Sequence, residues 1–272
     1  MNKRALLAGP YIIWIAGFTI VPIFILIWYA LGNDRGVMTA ENVLAIFDWL
    51  HLKSLWLSLE LSVIATLACF LLAYPLAICL RRLQVGRKAM LLLIVILPMW
   101  MNFVLRIMAW QIILAKNGLL NHALAFCGLP AQDWANSVTA IVIGMVYDYL
   151  PFMVLPIYNS VMDIRQDIIE AARDLGAGYR EVLLRILLPL SLPGIISGIT
   201  MVFVPALTTF AISDMLGGGK VMLIGNVIEQ EFMQSMNWHL GSGLSLALMA
   251  FVLVSMLFAF EADVEQKGEK ML

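Results

Sequence analysis

The sequence predicts an all-α integral membrane protein with six spanning helices and one polar helical loop. Three observations predict it. Hydrophobic residues make up 62% of the chain and charged residues 13%, with mean hydropathy +0.92, whereas about a quarter of a soluble domain is charged. A bilayer core of about 30 Å needs about 20 apolar helical residues, and runs of that kind lie near 5–31, 55–80, 89–114, 137–161, 191–212 and 242–260. Charges gather between the runs, most densely in "EAARDLGAGYREVLLRILLP" at 170–189.

The elements follow in order. Lys3 and Arg4 precede the first run, "PYIIWIAGFTIVPIFILIWYAL", which is longer than the core of a signal peptide and is expected to stay and span. Prolines 22, 75, 98, 151, 156 and 205 fall inside the runs. A membrane helix tolerates them where neighbours satisfy the freed carbonyls, so several spans are expected to be kinked. With the first terminus inside, the inner loops and termini hold Lys3, Arg4, Arg81, Arg82, Arg87, Lys88, Arg165, Arg173, Arg180, Arg185, Lys267 and Lys270. The outer loops then hold Arg35, Lys53, Lys116 and Lys220, with Arg106 inside the third run. Positive charge favours the inner face, which predicts both termini and the 163–190 loop to be cytoplasmic. The chain reads as a single transmembrane domain, 1–272.

Other chemistry is sparse. Cys69, Cys79 and Cys127 make no disulfide or metal spacing, and His51, His122 and His239 belong to no ligand motif. No metal, cofactor or nucleic-acid site is expected. HExxH, GxSxG and paired catalytic acids are missing, as is the phosphate loop GxxxxGK[ST]. An embedded enzyme is therefore disfavoured, and ATP hydrolysis by that loop would need another subunit. A secondary transporter would need internal repeats and ion-coupling sites, and no inverted repeat is detectable.

In the polar loop, Ile164, Ile168, Ala171, Ala172 and Leu175 recur at helical spacing with charges on the other face. Gly176 and Gly178 suit a helix cap and a turn. A second helix, "YREVLLRILL", offers Glu181 and Arg185 as an i,i+4 pair, and Pro189 and Pro193 end it and start the fifth run. These signals alone fit a helix lying on the membrane surface equally well.

The order of residues distinguishes the two. Glu170-Ala171-Ala172, three residues, Gly176, nine residues, then Ile186-x-Leu188-Pro189 resembles the EAA loop of bacterial ABC importer permeases. The resemblance implies coupling helices seated in a cleft of an ATP-hydrolysing subunit, with Glu170, Ala171, Ala172, Gly176, Ile186, Leu188 and Pro189 in that role. "LLAYPLAICLRR", "LPMWMNFVLRIMAW", "NGLLN", "LPFMVLPIYNSV" and "SDMLGGGKVMLIGNVIEQEF" are similar to the permeases of spermidine/putrescine importers, over about 55–245. That resemblance implies a polyamine-translocating permease of the bacterial inner membrane, surrounded by lipid. It further implies two ATP-binding subunits, a second homologous permease and an extracytoplasmic substrate-binding protein. Permeases for thiamine, iron or phosphonates share the fold and remain the alternative.

A polycation path needs carboxylates and aromatic faces. Asp34, Glu41, Asp48, Asp133, Asp214, Glu229 and Glu231 make the outer loops acidic. "VYDYLPF" places Asp148 inside the fourth run between Tyr147 and Tyr149. An intramembrane carboxylate is costly, so Asp148 either faces the path, with Tyr147, Tyr149 and Asp214, or anchors the fold by pairing with Arg106.

Overall fold

The computed structural model describes residues 11, 14–33, 37–132 and 134–269. The start of the first predicted span, Lys3, Arg4, Asp34, Arg35, Asp133 and Lys270 lie outside the described residues. In chain order the helices are α1 (Val21–Ala30), α2 (Trp49–Arg82), α3 (Val85–Ile96), α4 (Phe103–Leu114), α5 (Leu119–Phe126), α6 (Val138–Asp163), α7 (Gln166–Asp174), α8 (Tyr179–Val182), α9 (Leu192–Thr208), α10 (Ala211–Gly217), α11 (Ile224–Met233) and α12 (Trp238–Glu269). Among the described residues the strand-like geometry is one isolated antiparallel bridge, Gly32 with Met38. The architecture is the all-α one the sequence predicts.

Among those residues four stretches are long and apolar enough to cross a membrane: Trp49–Arg82, Phe103–Phe126, Val138–Asp163 and Trp238–Leu257. A fifth is bent by 65° between Tyr179–Leu190 and Leu192–Thr208, and Ala16–Ala30 is a shorter apolar helix. The predicted third span differs most, because 89–114 is not one helix. α3 passes into a 3₁₀ turn at Leu97–Trp100 that contains Pro98, and α4 restarts after Asn102. The Asn102 side chain accepts from the N–H groups of Val104 and Leu105 at 3.0 and 3.3 Å. It caps the new helix as asparagine caps do elsewhere.

Two prolines act through the backbone in the same way. Pro22 and Pro189 have no N–H to give the carbonyl four residues back. Each is preceded by a π turn, in which Val21 donates to Ala16 O and Leu188 to Leu183 O, one residue further back than in an α-helix. After Pro22 the helix runs on to Ala30, whereas after Pro189 it ends at Leu190 and the chain bends by 65°.

The chain divides into two compact units. The first comprises the residues up to Leu55 together with Asn226–Ser255. Within it, the C-terminal carbonyls of α1 are held by side chains. Asn42 Nδ2 donates to Ala30 O at 3.3 Å and to Gly32 O just beyond the helix at 2.8 Å, and His239 Nδ1 lies 2.9 Å from Tyr29 O. Gly243 lets the start of α12 approach this corner, where a Cβ would sit 2.4 Å from the Asn42 carbonyl oxygen. Phe232 packs edge-on against Trp238 at 5.5 Å in the same unit.

The second unit comprises Trp56–Gly225 and the chain from Met256. Its centre is α6 packed along α9. Gly194 and Gly198, four residues apart, form a small-residue face that lets the helix backbones come close. A Cβ at Gly194 would lie 2.5 Å from Pro156 O, and one at Gly198 would lie 2.7 Å from Met153 Sδ. Met153, Val154, Ile157 and Val202 fill the surrounding core. A second cluster of Leu61, Ile107, Ile141, Met145, Ile212 and Leu216 joins α2, α4, α6 and α10.

The segment after α9, expected as an acidic outer loop, is partly buried. Leu223, Ile224 and Val227 are buried, and Ile224 N donates to Ser58 Oγ at 2.8 Å. Asp214 remains exposed. Hydrophobic residues between the acidic ones are what bury this segment.

Gly194→Val places branched carbons where the α6 backbone already stands. Overpacking of this kind costs about 1–3 kcal/mol or more. The expected outcome is a lowered thermal midpoint and loss of the monodisperse peak in detergent, and a wild-type midpoint would contradict the packing described.

Candidate functional site

The polar loop forms two short helices around a glycine turn. α7 ends in a left-handed residue, Gly176, with φ +87°. Gly176 N donates to Arg173 O at 2.9 Å and Ala177 N to Ala172 O at 3.0 Å, the pair of bonds that satisfies the last carbonyls of a helix ending this way. α8 begins at Gly178, whose N–H donates to Glu181 Oε2 at 3.0 Å. Glu181 and Arg185 stand 3.9 Å apart on exposed side chains, the spacing their sequence separation predicts.

The helix register corrects the apolar face read from the sequence. Ile164, Ile169, Val182 and Leu187 form the inner cluster, with Ala172, Ala177 and Ile186 against it. Ile168 and Leu175 point outward, 42% and 89% exposed, together with Ala171. Ala171 and Ala172 thus lie on different faces. The loop has two apolar stripes, because a 100° step per residue separates 168, 171 and 175 from 169 and 172. The outer stripe is exposed among the described residues, as is Tyr179 at 52%, whose ring lies under the Arg82 guanidinium.

The remaining motif residues surround the turn. Glu170 is exposed, and its Oε1 accepts from Gln166 Nε2 at 3.2 Å. Gly176 and Ile186, ten residues apart, line one depression of about 440 Å³ with Leu175, Ala177, Glu181 and Arg185. No atom lies within 4 Å of a Cβ built at Gly176, so its glycine requirement is conformational. Leu188 and Pro189 are half-buried at the bend into α9.

Arg81 ties this loop to the spans, a role its sequence position did not announce. Its guanidinium donates to Val161 O and, at 2.7 Å, to Ile164 O, just where α6 ends. At the start of α7, Arg165 pairs with Asp167. The neighbouring guanidinium holds the exposed Asp167 carboxyl below its usual range, chiefly through the hydrogen bond.

Deeper in the same unit, Asp148 on α6 faces Arg106 on α4, with Nε 2.5 Å from Oδ1. Both side chains are buried, at 2% and 10% exposure. Arg106 Nη1 also donates to Pro98 O at 2.6 Å. One guanidinium therefore joins the carboxylate to the break before α4. Tyr147 packs edge-on against Trp110 at 5.2 Å, and Tyr149 donates its hydroxyl to Pro205 O at 3.3 Å. The anchor geometry foreseen for Asp148 is present, while Asp214 stands exposed on α10. Among the described residues no group of three or more His, Cys, Asp or Glu side chains could hold a metal ion.

Several helices long and apolar enough to cross a membrane, joined by a polar two-helix loop, define a multi-pass membrane protein. Residues 71–267 match the binding-protein-dependent transport system inner membrane component family, and the chain belongs to it. It is thus a transport component of the inner membrane and not an enzyme.

A spermidine/putrescine transport system permease protein, PotB, of Haemophilus influenzae is 35% identical over 92% of this chain and 90% of its own. The Escherichia coli protein of the same name is 40% identical over 78% of each chain. Among solved structures, a bacterial ABC transporter importing the acidic polysaccharide alginate matches with TM-score 0.81 at 20% identity, covering 96% of this chain and 94% of that one.

The Arg106–Asp148 geometry predicts an asymmetric mutational response. Arg106→Leu leaves a buried carboxylate uncompensated and should cost about 3–5 kcal/mol, whereas Arg106→Leu with Asp148→Leu should recover much of that loss. Thermal midpoints of the purified complexes would measure it, and equal losses in the single and double variants would refute a coupled pair.

Proposed function

We propose that this chain is a permease subunit of an ATP-driven importer for polyamines of the spermidine/putrescine class. The identity of 35–40% to spermidine/putrescine permeases over most of the chain carries this reading. Both termini and the 163–190 loop lie on the cytoplasmic side, as the lysine and arginine distribution supports. The whole chain works as one membrane domain beside a second, homologous permease, with two ATP-binding subunits below and a substrate-binding protein outside. A solved alginate importer bound to its periplasmic protein is a structural relative with TM-score 0.79.

The two-helix loop is the coupling element. Its outer stripe of Ile168, Ala171 and Leu175 supports docking into a partner cleft, with Glu170 beside it. Ala172, Ile186, Leu188 and Pro189 hold that stripe to the spans, and Gly176 fixes the turn between the helices. Closure of the ATP-binding subunits moves the loop, and the short connection through α6 and the bend at Ser191 passes that motion to the spans. The cavity then opens alternately outward and inward.

Asp148, Tyr147, Tyr149 and Asp214 are placed along the path. Because Asp148 is occupied by Arg106, it serves a passing cation by exchanging partners, an ammonium group displacing the guanidinium as the helices move. Asp214 is exposed to receive cations directly.

Deletion of the gene should abolish ATP-dependent uptake of labelled putrescine and spermidine, and undiminished high-affinity uptake would refute the substrate assignment. The same assay on Asp148→Glu, which keeps a carboxylate facing Arg106, should give reduced uptake by an assembled complex; full uptake by that complex counts against the path role.

Gly176→Val forces a branched residue to φ +87°, a strain of about 1–3 kcal/mol. The variant should insert normally yet lose the ATP-binding subunit or hydrolyse ATP without transport. Wild-type retention, substrate-stimulated hydrolysis and uptake, measured together, would exclude the loop as the coupling element.

A further inference from the structure

Behind the coupling loop lies a cavity of about 420 Å³ that neither the docking face nor the path uses. Its apolar wall is Ile78, Ile169, Val182 and Leu187, and its polar lining is Arg81, Arg82, Arg173 and Gln166. Three guanidinium-bearing residues thus converge on one cavity, and among the described residues no carboxylate lines it. Arg81 is engaged by the carbonyls of Val161 and Ile164. Arg82 lies over the Tyr179 ring at 4.6 Å from its centroid, a contact that leaves its N–H groups available. Among the described residues neither Arg82 nor Arg173 makes an ion pair.

Uncompensated guanidinium groups around a cavity favour an anion, and their planar forks match phosphate oxygens. The apolar wall narrows the choice to an anion with a hydrocarbon portion. Location narrows it further, since α2 ends at Arg82, where a span meets the headgroup layer. The cytoplasmic leaflet carries the anionic lipids, and each arginine near that surface adds attraction for them.

We propose that this cavity binds the phosphate headgroup of an anionic phospholipid from the inner leaflet. Arg82 and Arg173 hold the phosphate oxygens, and Ile78 and Ile169 meet the glycerol and first acyl carbons. Because the site spans the end of α2, α7 and the segment from α8, a bound headgroup ties the coupling loop to the spans. The assignment rests on the cytoplasmic placement of the loop proposed above, but not on the transported substrate.

The test uses the assembled transporter in nanodiscs of phosphatidylcholine containing a minor fraction of phosphatidylglycerol, with retained lipid read by native mass spectrometry after detergent extraction. Wild type should retain phosphatidylglycerol above its bulk fraction. Arg82→Gln with Arg173→Gln should weaken that retention about tenfold or more, as loss of two lipid-facing charges implies. Arg82→Lys with Arg173→Lys controls for folding and should keep most of it. Retention by the glutamine variant equal to wild type, or none in wild type, overturns the proposal. Displacement by inorganic phosphate at low concentration would assign the site to a soluble anion instead. Loss of lipid whenever the ATP-binding subunit is attached would assign it to a partner's acidic side chain. Polyamine uptake is measured separately, so failure of the lipid site and failure of the transport reading remain distinct.

Discussion

Hydrocarbon offers no partner to a bare carbonyl, and this chain breaks its helices repeatedly inside apolar stretches. Each break is met by a side chain placed for it. Asn102 caps the N–H groups at the start of α4, while Arg106 takes the Pro98 carbonyl at the end of the preceding turn. Asn121 gathers Lys116 and Gln132 between α4 and α6. Arg81 closes the end of α6. Bends therefore sit at fixed places, with their backbone groups paired.

The same rule explains why charge is admitted to the interior. Arg106 adds a second donor to the Pro98 carbonyl, and a buried guanidinium without a counter-charge is costly. Asp148 supplies the balancing charge from the neighbouring helix. Their pairing couples a bend to the α6–α9 packing, where Gly194 and Gly198 set the closest helix approach. At the end of α6, Arg81 bonds the carbonyls from which the two-helix loop begins. One continuous set of contacts thus runs from the intramembrane pair to the two-helix loop.

Much of this was legible in the sequence because its signals are local. Composition and run length gave the helical membrane class, since bilayer thickness fixes how many apolar residues a span requires. Glycine at 176 could be read as a left-handed cap because the conformational penalty belongs to the residue itself. The spaced motif pointed to the family, which the match over 71–267 established.

Tertiary structure decided what depends on direction and on distant partners. Helical periodicity alone merged Ile164 and Ala172 with Ile168, Ala171 and Leu175 into one apolar face, and packing turned the first two inward and left the other three exposed. Arg81 read as a cytoplasmic charge because sequence position carries no record of a carbonyl 80 residues away. Pro98 warned of a kink, but only the fold brought Arg106 to the Pro98 carbonyl and Asp148 to Arg106. The acidic segment after α9 read as an outer loop, and the burial of Leu223 and Ile224 followed from contacts in space. Sequence alone determined the class, the family motif and the chemistry available at each point. The third dimension chose which of those groups meet, because a long-range contact is set by the packing of whole helices and not by any one stretch of residues.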